Sequence, residues 1–123
     1  MFREMFLATG LQKLRNNDAA AMNAMDVLRM ATVGGAKAMG LKNCDILAEG
    51  KAADLIMIDL HQPNMQPLNV IEKNIVYSGS KQNVKMTMVN GKILYENGEF
   101  FIGEDPERIY ADVNDLIARC KEA

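Results

Sequence analysis

Two Asn-Gly dipeptides, Asn90-Gly91 and Asn97-Gly98, constrain this chain more than any other feature. A two-residue type I′ turn needs positive φ at both central residues, a conformation that Asn and Gly adopt at least cost. Ahead of the first turn, Val84 to Val89 alternates, with Val84, Met86 and Met88 on one face and Lys85 and Thr87 on the other. Lys92 to Tyr95 returns as the partner strand, and Asn97-Gly98 turns the chain again toward Phe100-Phe101. The order strand, turn, strand, turn, strand predicts a three-stranded meander.

The first forty residues read as helix. Met1 to Arg15 carries Phe2, Met5 and Phe6 on one side and Leu7, Leu11 and Leu14 on another, so it needs partners on two sides. It begins inside its amphipathic pattern with no cap before it, which predicts that the start of an element is missing. Asn16-Asn17-Asp18 is a break. A second helix is expected from about Ala24 to Ala31, capped by Asn23, with Met25, Leu28 and Ala31 inward. Thr32 reads as a fresh N-cap for a small-residue helix that stops at Gly40.

Between helices and meander, Asp45 to Ala48 is a short strand candidate. The turn Glu49-Gly50-Lys51 leads into Leu55 to Ile58, an apolar run that does not alternate and so predicts a strand covered on both faces. His61 to Leu68, with Pro63 and Pro67, reads as loop. Asn69 to Lys73 is expected to make one helical turn, followed by an extended Ile75-Val76-Tyr77. Asp105-Pro106 opens a last helix whose buried face is Ile109, Val113, Leu116, Ile117 and Cys120. The fold class is α+β.

The chain has 123 residues, 49% of them hydrophobic, which suits one domain with a modest core. A net charge of −2 with scattered basic residues speaks against a nucleic-acid partner. No apolar run is long enough to span a membrane, and no secretory leader pattern opens the sequence. Cys44 and Cys120 have no CxxC spacing; they read as reduced thiols of a cytoplasmic protein, with a disulfide between them the less favoured alternative. The ten methionines read as core filler.

Candidates for chemistry are few. The single histidine, His61, has no companion for a metal, whereas catalytic zinc takes three protein ligands. Asp54 and Asp59 bracket the apolar strand but would point to opposite faces, and Asp54 reads better as a turn-bonding residue. Neither cysteine has a histidine beside it, and both read as core or surface thiols. Arg3 and Glu4 read as a solvated helix face. HExxH, Walker A and GxGxxG motifs are absent.

The segment Ala31-Thr32-Val33-Gly34-Gly35-Ala36-Lys37-Ala38-Met39-Gly40, followed by Glu49-Gly50-Lys51-Ala52-Ala53-Asp54-Leu55-Ile56-Met57-Ile58-Asp59, resembles the C-terminal signature of the amidohydrolase superfamily. Met88-Val89-Asn90-Gly91-Lys92 resembles a hairpin of the same enzymes. Met1-Phe2-Arg3-Glu4-Met5, Leu11-Gln12-Lys13 and Tyr77-Ser78-Gly79 are similar to 5-methylthioadenosine/S-adenosylhomocysteine deaminases and cytosine-deaminase-like hydrolases. The resemblance implies a (β/α)₈ barrel plus a small β-domain built from both chain ends. It also implies a divalent metal, zinc or iron, held by an HxH pair, further histidines and an aspartate, which activates water to expel ammonia from a ring carbon.

None of those motifs occurs in this sequence, so the resemblance places no catalytic, cofactor or metal residue on any position. It implies that residues 1–43 are a helical remnant of the barrel end, 44–104 the C-terminal share of the β-domain, and 105–123 a C-terminal helix. The expected chain is a fragment, inactive alone and without a cofactor of its own. Its expected partner is the missing N-terminal portion or a second copy; nucleic acid and membrane are not expected. Two other readings remain: a free-standing interaction module that self-associates, and an enzyme with an unrelated site around Asp54, Asp59 or His61.

Overall fold

The computed structural model describes residues 1–121. Helix α1 (Phe2–Asn16) buries Met5 and Thr9 and leaves Leu7, Leu11 and Leu14 exposed, so one of its two apolar sides is covered. It ends at Asn17, which takes the left-handed conformation at φ 49°; the Asn17 and Asp18 N–H groups donate to the Leu14 and Lys13 carbonyls. Helix α2 (Ala24–Arg29) opens at Asn23, whose side chain accepts the Asp26 N–H at 2.9 Å. Its inward residues are Ala24 and Val27; Met25, expected inside, is exposed.

Helix does not restart at Thr32. The Thr32 hydroxyl donates to the Leu28 carbonyl four residues back, at 2.9 Å, and so caps nothing. Instead α2 runs through a π-turn (Met30–Gly34) into α3 (Gly35–Ala38), with the Gly35 N–H reaching the Met30 carbonyl. The wider turn brings Ala31 and Ala36, five apart, onto one groove-lining surface, a spacing that a 3.6-residue period would send apart. The helix stops where expected: Gly40 has φ 71°, and the Leu41 N–H donates back to the Ala36 carbonyl at 2.9 Å.

Residues 71–78 form one helix, α4 (Ile71–Ser78), where one turn and an extended segment were expected. The β-branched pair Ile75-Val76 favours extended backbone, but packing decides: Val76 is 1% exposed and joins Met5, Ala24 and Val27 in the core. Phe2, Met22, Leu28, Ala31 and Ile75 pack around them, so the core sits where α1, α2 and α4 meet. The loop before α4 contains a short 3₁₀ turn, Pro63–Met65, that sends Met65 fully inside.

The meander forms as expected, as β2 (Val84–Val89), β3 (Lys92–Glu96) and β4 (Glu99–Phe100), with Asn90, Gly91, Asn97 and Gly98 all at positive φ. β1 (Leu55–Ile58) pairs antiparallel with β2, Leu55 opposite Met88 and Met57 opposite Met86, giving one sheet in the order β1-β2-β3-β4. Two expectations fail here. Asp45 to Ala48 forms no strand; its backbone bends and is tied by the Ala52 N–H to Asn43 carbonyl bond at 2.7 Å. β1 is also an edge strand with Ile56 and Met57 about half exposed, so its continuous apolar run is not covered on both faces within this chain.

Helix α5 (Pro106–Lys121) opens as expected, the Asp105 carboxylate accepting the Glu107 N–H at 3.0 Å. Its apolar stripe is not buried. Ile109, Val113, Leu116, Ile117 and Cys120 are all exposed, because no element of the described chain lies over them.

Candidate functional site

An apolar groove of about 660 Å³ lies between the helices and the sheet. The π-turn and α3 form one wall through Ala31, Ala36 and Met39; the bent segment 44–47 and β1 form the others. Of the polar residues that line it, Thr32, Asp45 and Asp54 are already engaged, and Thr87 of β2 lines it as well. Thr32 donates to Leu28, Asp45 accepts from the Lys51 ammonium at 2.7 Å, and Asp54 accepts the Asn90 N–H. The Lys51 ammonium also donates to the Lys42 carbonyl at 2.9 Å, closing the segment that carries Cys44 and Asp45. That lysine hydrogen bond holds the Asp45 carboxyl below the usual carboxylate range. The groove offers apolar surface for packing, with Thr32, Asp45 and Asp54 already satisfied by the chain itself.

The densest polar cluster lies at the far end of β1. The Asp59 carboxylate accepts from the Gln62 side chain at 2.7 Å and from the His61 backbone N–H at 2.8 Å, with the Lys85 ammonium 3.5 Å away. The Gln62 bond first and then the His61 bond lower the Asp59 pKa; burial opposes them, and the Lys85 charge lowers it by less than burial raises it. Behind it, Asn83 is fully buried. Its carbonyl oxygen accepts from the Ser80 N–H and from Asn64, and its amide donates to the Asp59 carbonyl and back to Asn64. Asn74 spans the same loop, donating to the Met65 and Pro67 carbonyls. These asparagines fasten the 59–67 loop to α4 and to the start of β2. Sequence reasoning missed them; only Asn64, directly after Pro63, carries a local signal, and Asn74 and Asn83 carry none.

The candidate residues do not converge. Asp54 anchors the Asn90 turn and Asp59 anchors the His61 loop, at opposite ends of β1. His61 is exposed and enters the cluster only through its backbone N–H. Cys44 is half-buried in the groove wall and Cys120 is exposed on α5; both are free thiols. Arg3 and Glu4 line a shallower groove between α1 and α4. Among the described residues, no three His, Cys, Asp or Glu side chains come close enough together to hold a metal ion. This donor set does not fit a catalytic zinc, which requires about three such side chains.

Three segments that resemble deaminases do come together. Phe2 lies against Gly79, Phe6 meets Tyr77 edge-on at 6.5 Å between ring centres, and the Lys13 ammonium donates to the Tyr77 hydroxyl at 2.8 Å. Gly79 is required here for space, since a Cβ would stand 2.4 Å from the Ile75 carbonyl oxygen and 2.9 Å from the Phe2 ring.

The sequence matches the amidohydrolase family over residues 1–94, from α1 into β3, and the chain belongs to that family. Among individual relatives, it is 46% identical over 100 residues to a 5-methylthioadenosine/S-adenosylhomocysteine deaminase of Desulfovibrio desulfuricans, covering 81% of this chain and 23% of the relative. It is 34% identical over 119 residues to 5-methylthioadenosine/S-adenosylhomocysteine deaminase 1 of Archaeoglobus fulgidus, covering 97% of this chain and 28% of the relative. The crystal structure of an adenosine deaminase from Xanthomonas campestris with bound zinc superimposes on all of this chain and on 28% of its own length, with a TM-score of 0.93 and 31% identity. The chain thus spans about a quarter of the length of the relatives it matches. Among the described residues, no helix is long and apolar enough to cross a membrane.

Proposed function

We propose that this chain is the C-terminal part of a metal-dependent amidohydrolase that removes an amino group from an adenosine-type substrate. The metal, zinc or iron, would supply an activated water, and the residues that hold it would belong to the remainder of the polypeptide. The observation that carries this reading is the close superposition of the whole chain on a quarter of a zinc-bound adenosine deaminase. The role of these residues is structural. α1, α2 and α4 make a rigid helical layer, and the Asn64-Asn74-Asn83 fastening locks the sheet to it. Alone, the chain is expected to be inactive.

The test is direct. The purified chain, supplied with zinc or ferrous iron, is assayed for ammonia release from adenosine, 5-methylthioadenosine and S-adenosylhomocysteine, and its metal content is measured. No turnover and no stoichiometric metal are expected. Turnover that disappears in His61→Ala would overturn the proposal. A second reading, a self-associating module, draws on the exposed apolar residues of the edge strand β1. Sedimentation velocity across a concentration series tests it; a monomer at every concentration counts against it.

A further inference from the structure

Helix α5 poses a physical problem. It is 16 residues long, every residue from 107 to 121 is exposed, and its stripe of Ile109, Val113, Leu116 and Ile117 rests on nothing in the described chain. An isolated helix of about this length is marginal in water, and most helices are held by packing of their apolar face. Yet α5 is not an addition peculiar to this chain. The Archaeoglobus match reaches 97% of the sequence and therefore includes most of α5. The superposition on the adenosine deaminase is too close over all 123 residues for a 16-residue helix to sit elsewhere. A helix with almost no hold on its own chain therefore keeps its place in a protein more than three times longer.

We infer that the apolar stripe of α5 docks in cis against the remainder of a longer amidohydrolase polypeptide, as a clasp holding this segment to the rest. The inference rests on the reading proposed above. Area selects this occupant over a second copy. A helix of this length is roughly 24 Å long and about 10 Å wide. Pairing two such faces would bury on the order of 500 Å² in total, about half of what a specific interface between separate molecules needs. Docking within one polypeptide has no such threshold, because the linker raises the effective concentration of the helix.

Hydrogen exchange followed by mass spectrometry tests this on the 123-residue chain and on the polypeptide that carries it, recovered with an antibody against the chain. The α5 amides should exchange at least about 100-fold more slowly in the longer polypeptide than in the isolated chain. The double variant Val113→Glu, Ile117→Glu should leave the melting of the isolated chain unchanged, since neither side chain is buried there, and should abolish that protection in the longer polypeptide. Equal α5 exchange in both forms would overturn the clasp and leave the deaminase reading standing. Recovery of a 123-residue product alone would overturn both. Protection that appears in the isolated chain as its concentration rises would assign the stripe to a second copy and refute docking in cis.

Discussion

Gly79→Ala tests whether the contact between the start of α1 and the end of α4 is as tight as it is drawn. Gly79 has φ −65° and ψ 145°, which alanine adopts freely, so backbone strain plays no part. The added methyl would stand 2.4 Å from the Ile75 carbonyl oxygen and 2.9 Å from Phe2 Cδ1. The ring can swing aside, but the carbonyl belongs to the last turn of α4 and accepts the Gly79 N–H at 3.2 Å, so relief means moving the helix end. Overpacking of this kind costs about 1–3 kcal/mol. Stiffening of the unfolded chain by alanine returns about 0.4–1 kcal/mol. The net expectation is a loss of about 1–2 kcal/mol, or a melting temperature lower by about 4–10 °C for a domain of this size. Thermal unfolding followed by circular dichroism measures it. Phe2→Leu in the same background should recover part of the loss, with a coupling of about 0.5–1 kcal/mol. A Gly79→Ala variant that melts at or above the parent temperature would refute the close approach.

Three further outcomes follow from the same packing. Asn83→Ala should cost about 2–4 kcal/mol, because it strands the Ser80 N–H and the Asn64 amide beside a fully buried site; the urea midpoint checks it, and an unchanged midpoint would show the fastening to be idle. Met65→Ala should cost about 2–5 kcal/mol through the cavity left under α4, read in the same denaturation series, and a loss below 1 kcal/mol would mean that the loop collapses into the space. Asp45 and Asp59 have folded pKa values below the ordinary 3.8, so their stabilisation is present above the unfolded value and is lost as pH falls toward the folded values. The double variant Asp45→Asn, Asp59→Asn should therefore flatten the acid limb of stability below about pH 4; an acid limb as steep as the parent's would assign that loss to other carboxyls.

What the sequence disclosed followed the reach of each interaction. The Asn-Gly hairpins, the Asn23 cap, the Gly40 stop and the Asp105-Pro106 start are set within a few residues of chain, and all were readable. Long-range packing was not. Ile75-Val76 carries an extended preference that only the neighbouring α1 and α2 override. Thr32 mimicked a fresh N-cap because a π-turn has no local signature that would mark the helix as continuous. The burial foreseen for β1 and α5 came from their apolar patterns, and a pattern records a need for cover without saying which chain supplies it. The asparagine fastening was hidden for a related reason: Asn64 and Asn83 lie 19 positions apart and acquire meaning only as a pair.

The two hairpin turns also determine how the molecule ages. An Asn-Gly bond rearranges when the glycine nitrogen attacks the asparagine side-chain carbonyl, forming a succinimide that opens to aspartate or isoaspartate. In the first turn that nitrogen is occupied, since the Gly91 N–H donates to the Ala53 carbonyl at 3.1 Å. Among the described residues no backbone carbonyl outside the strand ladders takes the Gly98 N–H. Two identical dipeptides thus run at different rates. On storage, Asn97 should convert before Asn90, and negative charge would accumulate first at the β3–β4 turn, leaving the β2–β3 turn as the more durable record of the original protein.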